Sequence, residues 1–381
     1  MEEIPLCEAV SAIRMKLQDS NCNAFLALVR AGLWEKDVCL SEYGKIGYDG
    51  ILKLTQEQTV VGLVTAGFEH VKDVRVPQEH VLQFVGLTLQ DEQRNASVNT
   101  FIAKAVEKMR EADIYTLLVK GQGIAQCYER PLWRTSGDID FFLSDTNYEK
   151  AKNYLLPLSS NNKPERIFSK ELGMSILETF GTSDQGRADP WYVEIHGTLR
   201  TGLSTCLDRE IDSVQREVFY GGSVRTWQNG KTQVFLPGVN EDVFFVFTHY
   251  IKHFYKEGGV SIRQLCDWCR LLWTYRDSLN HRVLESRIRK AGLMTEWKAF
   301  GALAVDYLGI PVEAMPLYSE DKKWGKKAER IVAFILKGGK WQRFKDTFRV
   351  GSIFPLNTLK FLPGIIVGVN WLKIKERMFK R

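Results

Sequence analysis

The sequence predicts an α+β protein in which a small mixed β-sheet core, roughly residues 111–240, lies between an N-terminal helical region (1–110) and a C-terminal helical region (241–381). Three observations carry that reading. Apolar residues recur at helical spacing through much of residues 1–110 and again from Glu241 onward. Between these regions the period shortens in the runs IYTLLVKG, DIDFFL and PWYVEIHGTL. A hairpin signal then follows in RTWQNGKTQVFLP, where Asn229-Gly230 separates two extended runs.

In chain order, AVSAIRMKLQ (9–18) and NAFLALVRAGLW (23–34) read as helices, and a long helix is expected from about Asn95 through Ala112. IYTLLVKG (114–121) is a strand that ends in glycine and feeds a turn. GQGIAQCYERP (121–131) starts a helix closed by Pro131. DIDFFL (138–143) is a second strand, and DTNYEKAKNYLLP a helix after it with Asp145 as its cap. PWYVEIHGTL (190–199) alternates as a third strand, followed by the hairpin. From Glu241 helices continue to about residue 340, through EDVFFVFTHYIKHFYKEGG and SIRQLCDWCRLLWTYRD.

Composition excludes several classes. Hydrophobic residues at 44% and charged residues at 26% are those of a globular chain, not a disordered one. The N-terminus begins acidic and lacks a secretory pattern. The longest strongly apolar tract, FLPGIIVGVNWL, falls short of the ~20 residues a spanning helix needs. Seven scattered cysteines then read as reduced thiols, and a cytoplasmic location is expected. The net charge of +6 gathers late, in KKWGKK, LKGGKWQRFK, TFR and the terminal LKIKERMFKR. Such a basic region suits an anionic partner, nucleic acid or a membrane surface, or else a solvated face without one. The last apolar segment is expected to dock on the protein's own core.

The chemistry concentrates in DIDFFL. Aspartate is depleted in strands and rarely buried without a partner. Side chains two apart share a strand face, so Asp138 and Asp140 project together while Ile139 and Phe141 pack on the other side. The third strand repeats the alternation, with Glu194 and His196 opposite Val193 and Ile195. If the two strands pair, Glu194 lies beside Asp138 and Asp140, and a divalent cation is needed between them. Oxygen ligands of this kind suit Mg²⁺ or Mn²⁺ shared with substrate phosphates. Lys120, Gly121 and Gly123 stand at a strand-to-helix turn whose N–H groups can approach phosphate, and Lys120 and Arg134 add positive charge. A turn, a cap or a surface ion pair with Arg134 is the competing reading of the aspartates. An EF-hand is excluded, because its fifth loop position would be Phe142. His249, His253, Cys266 and Cys269 have a zinc-compatible spacing, although the cysteines also fit an amphipathic helix as small hydrophobes.

The ordered set L-L-V-K-G, Y-x-x-P-x-x-R-x-x-G-D-I-D and V-E-I-H resembles the nucleotidyltransferase superfamily that includes DNA polymerase β, and more narrowly a bacterial group of uncharacterised nucleotidyltransferases. A later E-D, H-x-x-x-H and R-x-x-x-D set, here Glu241, Asp242, His249, His253, Arg263 and Asp267, is similar to that group as well. The resemblance spans roughly residues 60–275. It implies that Asp138 and Asp140 hold metal ions, that Glu194 completes the site and helps activate an acceptor hydroxyl, and that Gly121, Gln122 and Gly123 contact nucleotide phosphates. The implied reaction moves a nucleoside monophosphate from an NTP, with ATP the expected one, to a sugar, small metabolite, protein or RNA. Two positions depart from the superfamily pattern: Gln122 replaces a usual serine, and Glu194 a usual aspartate. A non-catalytic scaffold that binds an anionic partner is the alternative.

Overall fold

The computed structural model describes residues 19–155, 174–178, 192–257, 259–337 and 343–366. The expected helix at residues 9–18 and the terminal LKIKERMFKR lie outside the described residues. Helix α1 (Ser20–Trp34) begins where the Asp19 carboxylate accepts the backbone N–H groups of Asn21 and Cys22, at 2.8 and 3.3 Å. After α2 (Tyr48–Glu57), helix α3 (Val61–Glu69) crosses α1 at backbone distance. A Cβ on Gly32 would stand 1.9 Å from the Leu63 carbonyl oxygen, and one on Gly67 only 2.2 Å from that of Leu28.

Helix α4 (Gln78–Glu111) starts at Gln78, well before the expected Asn95. Its first half buries only Phe84 and Thr88 and leaves Leu82 and Leu89 exposed, so the apolar stripe there is too broken to read. Its second half buries Val98, Ile102, Val106 and Met109, a spacing that makes one continuous face.

The centre is a six-stranded mixed sheet in the order β3-β4-β2-β1-β6-β5. Strands β1 (Leu117–Val119) and β2 (Ile139–Phe142) run antiparallel and are linked by the short helix α5 (Gly121–Ala125). Helix α6 (Asp145–Leu155) starts at Asp145 itself, so Ser144, not Asp145, occupies the cap position. Strand β4 (Tyr192–His196) lies parallel to β2, with Asp140 opposite Glu194 and Phe142 opposite His196. Edge strand β3 (Met174–Glu178), not anticipated from the sequence, pairs antiparallel with β4. After α7 (Thr205–Tyr220) comes the expected hairpin of β5 (Val224–Asn229) and β6 (Thr232–Pro237). Asn229 pairs with Thr232, so the two-residue loop is Gly230-Lys231, and Gly230 takes the positive φ of 61° that the turn requires.

Both sheet faces are covered. On one, Leu118, Ile139, Phe141, Val193, Ile195, Val234 and Leu236 pack against the second half of α4 and against Tyr148 and Ala151 of α6. The other face joins a larger core shared by helices from both ends of the chain. It includes α8 (Val239–Lys252), α9 (Ile262–Thr274), α10 (His281–Ala291), α11 (Met294–Asp306), α12 (Lys322–Leu336) and α13 (Arg343–Ile353). Trp268, Trp297, Phe247, Tyr250 and Phe300 form its aromatic centre. A last helix over residues 355–366 docks Phe361 and Ile365 on this core while Leu356 and Leu359 face outward, so the described part of the tail packs on its own protein. Cys22, Cys127, Cys206, Cys266 and Cys269 are free thiols. Among the described residues no helix is long and apolar enough to cross a membrane.

Candidate functional site

The site forms where β1 ends and β2 and β4 begin. Strand alternation sends Asp140, Glu194 and His196 to the same sheet face as Phe142, and the parallel register sets Asp140 directly beside Glu194. The ligand atoms of Asp140, Glu194 and His196 lie within 4.8 Å of one another, which no other group of three such residues achieves among the described ones. Asp140 and His196 are each only 5% exposed, so neither can rely on water for solvation. One oxygen of Asp140, Oδ1, accepts from Nζ of Lys120 at 2.8 Å and from Nε2 of His196 at 2.7 Å. His196 Nε2 also lies 3.4 Å from Oε2 of Glu194.

The two carboxylates are driven apart electrostatically. Burial pushes Asp140 up, but the charge of Lys120 and the hydrogen bond from His196 overcome it and hold the carboxyl well below the usual range. Burial raises Glu194, and the negative charge of Asp140 adds to the effect. Neighbouring acids with opposed shifts are the arrangement in which one stays a fixed anion and the other can take a proton. For Lys120, burial disfavours the charge, yet Asp140 and Glu194 outweigh it and raise the ammonium pKa.

Lys120 has φ 59° and ψ −151°, a region essentially reserved for glycine that costs a side-chain-bearing residue on the order of 1–3 kcal/mol. Gly121 follows with φ 45°. Gly123 lets the turn approach β6, because a Cβ there would stand 2.8 Å from a methyl of Leu236.

Asp138 lies one residue before β2 and is exposed, so it flanks the buried cluster without joining it. Its charge still bears on Lys120, Glu194 and Arg263. The Gln122 side chain turns away, its amide lying 3.3 Å from Oδ1 of Asn95 on α4. Arg134 is buried and forked onto Asp267, with Nε 2.8 Å from Oδ1 and Nη2 2.6 Å from Oδ2. Its distance from free phosphate-binding duty has a structural meaning, for that pair fixes the segment entering β2. Asn95 donates to the carbonyls of Leu132 and Arg134, Thr135 donates to Asp91, and Arg263 donates to the Thr135 carbonyl.

The later motif thus resolves into fasteners. Asp267 holds Arg134 and Tyr128, Asp242 pairs with Arg225 on β5, and Glu241 accepts from Arg287 at 2.8 Å. His249 is enclosed; burial first, and then the positive charge of Lys120, hold its pKa well below the ordinary histidine value. His253, on a π-helical turn after α8, meets it with the two Nε2 atoms 2.9 Å apart. Cys266 and Cys269 are buried in the apolar core, and with the two histidines they do not make a metal-ligand group. Sequence reasoning placed His196 on the right face but gave it no part in holding the cation. Its E-x-H spacing on a strand was the signal that it belongs with Glu194.

Fold and site together define a mixed-sheet protein whose adjacent strands present two carboxylates and an imidazole able to hold a divalent cation. The chain belongs to the family described as uncharacterised nucleotidyltransferases, whose model matches residues 44–309, well over half of the chain. None of the curated proteins matches it. A solved structure, that of an antigenic nucleotidyltransferase-like protein from Paracoccidioides brasiliensis, is similar at 12% identity and a TM-score of 0.30, covering 52% of this chain and 90% of that one.

Proposed function

We propose that the protein is a divalent-metal-dependent nucleotidyltransferase of the polymerase β-like kind, with Asp140, Glu194 and His196 holding the cation and Asp138 at the mouth of the site. The observation that carries this reading is the parallel pairing of the buried Asp140 with the half-buried Glu194, a two-carboxylate cluster in a chain of this family. Two hard oxygens and one imidazole suit Mn²⁺ at least as well as Mg²⁺. The bound cation would neutralise the phosphate oxygens of an NTP, ATP being the first to try, and clamp them for in-line displacement.

The chain's own residues do the rest. Glu194, set directly beside Asp140 by the strand register, takes the proton of an acceptor hydroxyl. The acceptor oxygen then bonds to the α-phosphorus, the bond from that phosphorus to the β-phosphate bridging oxygen breaks, and pyrophosphate leaves. Lys120 and the backbone N–H groups of Gly121 and Gln122, at the turn from β1 into α5, would meet the polyphosphate, whereas the Gly123 N–H is already taken by the Lys120 carbonyl at 3.1 Å. The Gln122 side chain is engaged elsewhere, so only its backbone serves this role.

The test is binding of ATP in the presence of Mn²⁺ or Mg²⁺, followed by release of pyrophosphate. Asp140→Asn is expected to lower pyrophosphate release at least about a hundredfold, the scale on which loss of one aimed charge acts. Unchanged metal-dependent binding and release in a variant carrying both Asp138→Asn and Asp140→Asn would show the site to be misassigned.

A further inference from the structure

The Lys120 ammonium stands where a cation would be wanted. It touches Asp140 Oδ1 at 2.8 Å, and the carboxylates acting on it are, in order of strength, Asp140, Glu194 and then Asp138. Its backbone is held in a conformation that favours glycine, so the position carries a lysine at a steric cost. His196 donates to the same carboxylate oxygen. A divalent ion approaching Asp140 therefore meets an oxygen with two donors already on it, beside a fixed positive charge.

We infer that Lys120 is a tethered stand-in for the metal: its ammonium balances Asp140 and Glu194 until a nucleotide arrives, and it competes with the divalent cation for Asp140. A polyphosphate offers the ammonium another anionic partner, so nucleotide binding draws Lys120 off Asp140 and opens the seat for the ion. Metal and nucleotide then enter together, and the site takes up little free metal by itself. This rests on the metal-dependent reading above and adds to it an order of occupancy set by one side chain.

The experiment is titration of the full chain with Mn²⁺ alone, free Mn²⁺ being read by electron paramagnetic resonance. Wild type is compared with Lys120→Met and Lys120→Gly, each with and without Asp140→Asn. Lys120→Gly removes the ammonium while relaxing the backbone, so it guards against a misfolded Lys120→Met. Both Lys120 variants are expected to bind Mn²⁺ about tenfold or more tightly than wild type, through a site that Asp140→Asn abolishes. Asp140-dependent Mn²⁺ binding that is equal or weaker in both variants overturns the role of Lys120 and leaves the metal site standing. No Asp140-dependent binding in any of the proteins overturns both.

Discussion

Asp140 shows how one side chain can be buried and still ionised. Its face of the sheet offers an ammonium and an imidazole N–H, and charge-assisted hydrogen bonds of this kind offset the loss of water. His249 shows the opposite solution, for burial among positive neighbours disfavours its charged form. Its folded-state pKa lies below the unfolded value, so above about pH 6.5 neither state binds the proton and the residue has no effect on the pH slope. Below that point the unfolded chain takes a proton that the folded one refuses, and stability falls by up to about 1.4 kcal/mol per pH unit. His249→Gln cannot titrate. Urea unfolding at pH 7.5 and 5.5 is expected to show a smaller loss of stability for this variant than for wild type. Equal losses in the two proteins would mean that His249 is protonated in the fold. The residues facing it are Lys120, His196, Lys252 and His253, and the variant leaves all four in place.

Among the elements, the segment between α5 and β2 matters most, because it aims β2. It is clamped on three sides: by Asn95 and Asp91 of α4, by Asp267 and Arg263 of α9, and by α3, where a Cβ on Gly62 would lie 2.1 Å from the Trp133 carbonyl oxygen. The Arg134–Asp267 pair is the innermost clamp, with each side chain only 6% exposed. Breaking one side of such a pair strands a buried charge, so Arg134→Met is expected to cost about 3–5 kcal/mol in chemical denaturation. Adding Asp267→Leu should return part of that loss, because an apolar pair needs no desolvation, although the Tyr128 hydroxyl that also donates to Asp267 is then left unpaired. A double variant no more stable than the single one would locate the loss in packing instead of charge. The sequence makes the R-x-x-x-D spacing on α9 visible, but not that its aspartate reaches back to Arg134, since that contact joins residues 133 positions apart. The strands were legible for a local reason: period-two alternation in DIDFFL and YVEIH depends on neighbours alone. Strand β3 was not, because an edge strand is defined by the neighbour it finds and not by its own pattern.

At the scale of the molecule, one apolar core runs from Phe25 of α1 to Ile365 near the end of the described chain. Such sharing of a core between distant segments leaves no periodic trace in the sequence, which is why helical regions were readable there but their mutual packing was not. The candidate site follows the same division. Asp140, Glu194 and Lys120 were legible as chemistry, and the structure brings them together. Arg134 and Gln122 were legible as polar residues near a turn, but their partners, Asp267 and Asn95, come from other elements. The exposure of Asp138 depends on where β2 begins, one residue after it, and strand ends are the least readable features of a sequence.

The most direct measurement is anomalous diffraction from crystals grown with Mn²⁺ and a non-hydrolysable ATP analogue. A manganese peak within coordination distance of Asp140 and Glu194, with the analogue's phosphates beside it, is the expected result. Manganese bound elsewhere, with the nucleotide absent from this pocket and Lys120 still on Asp140, would contradict it.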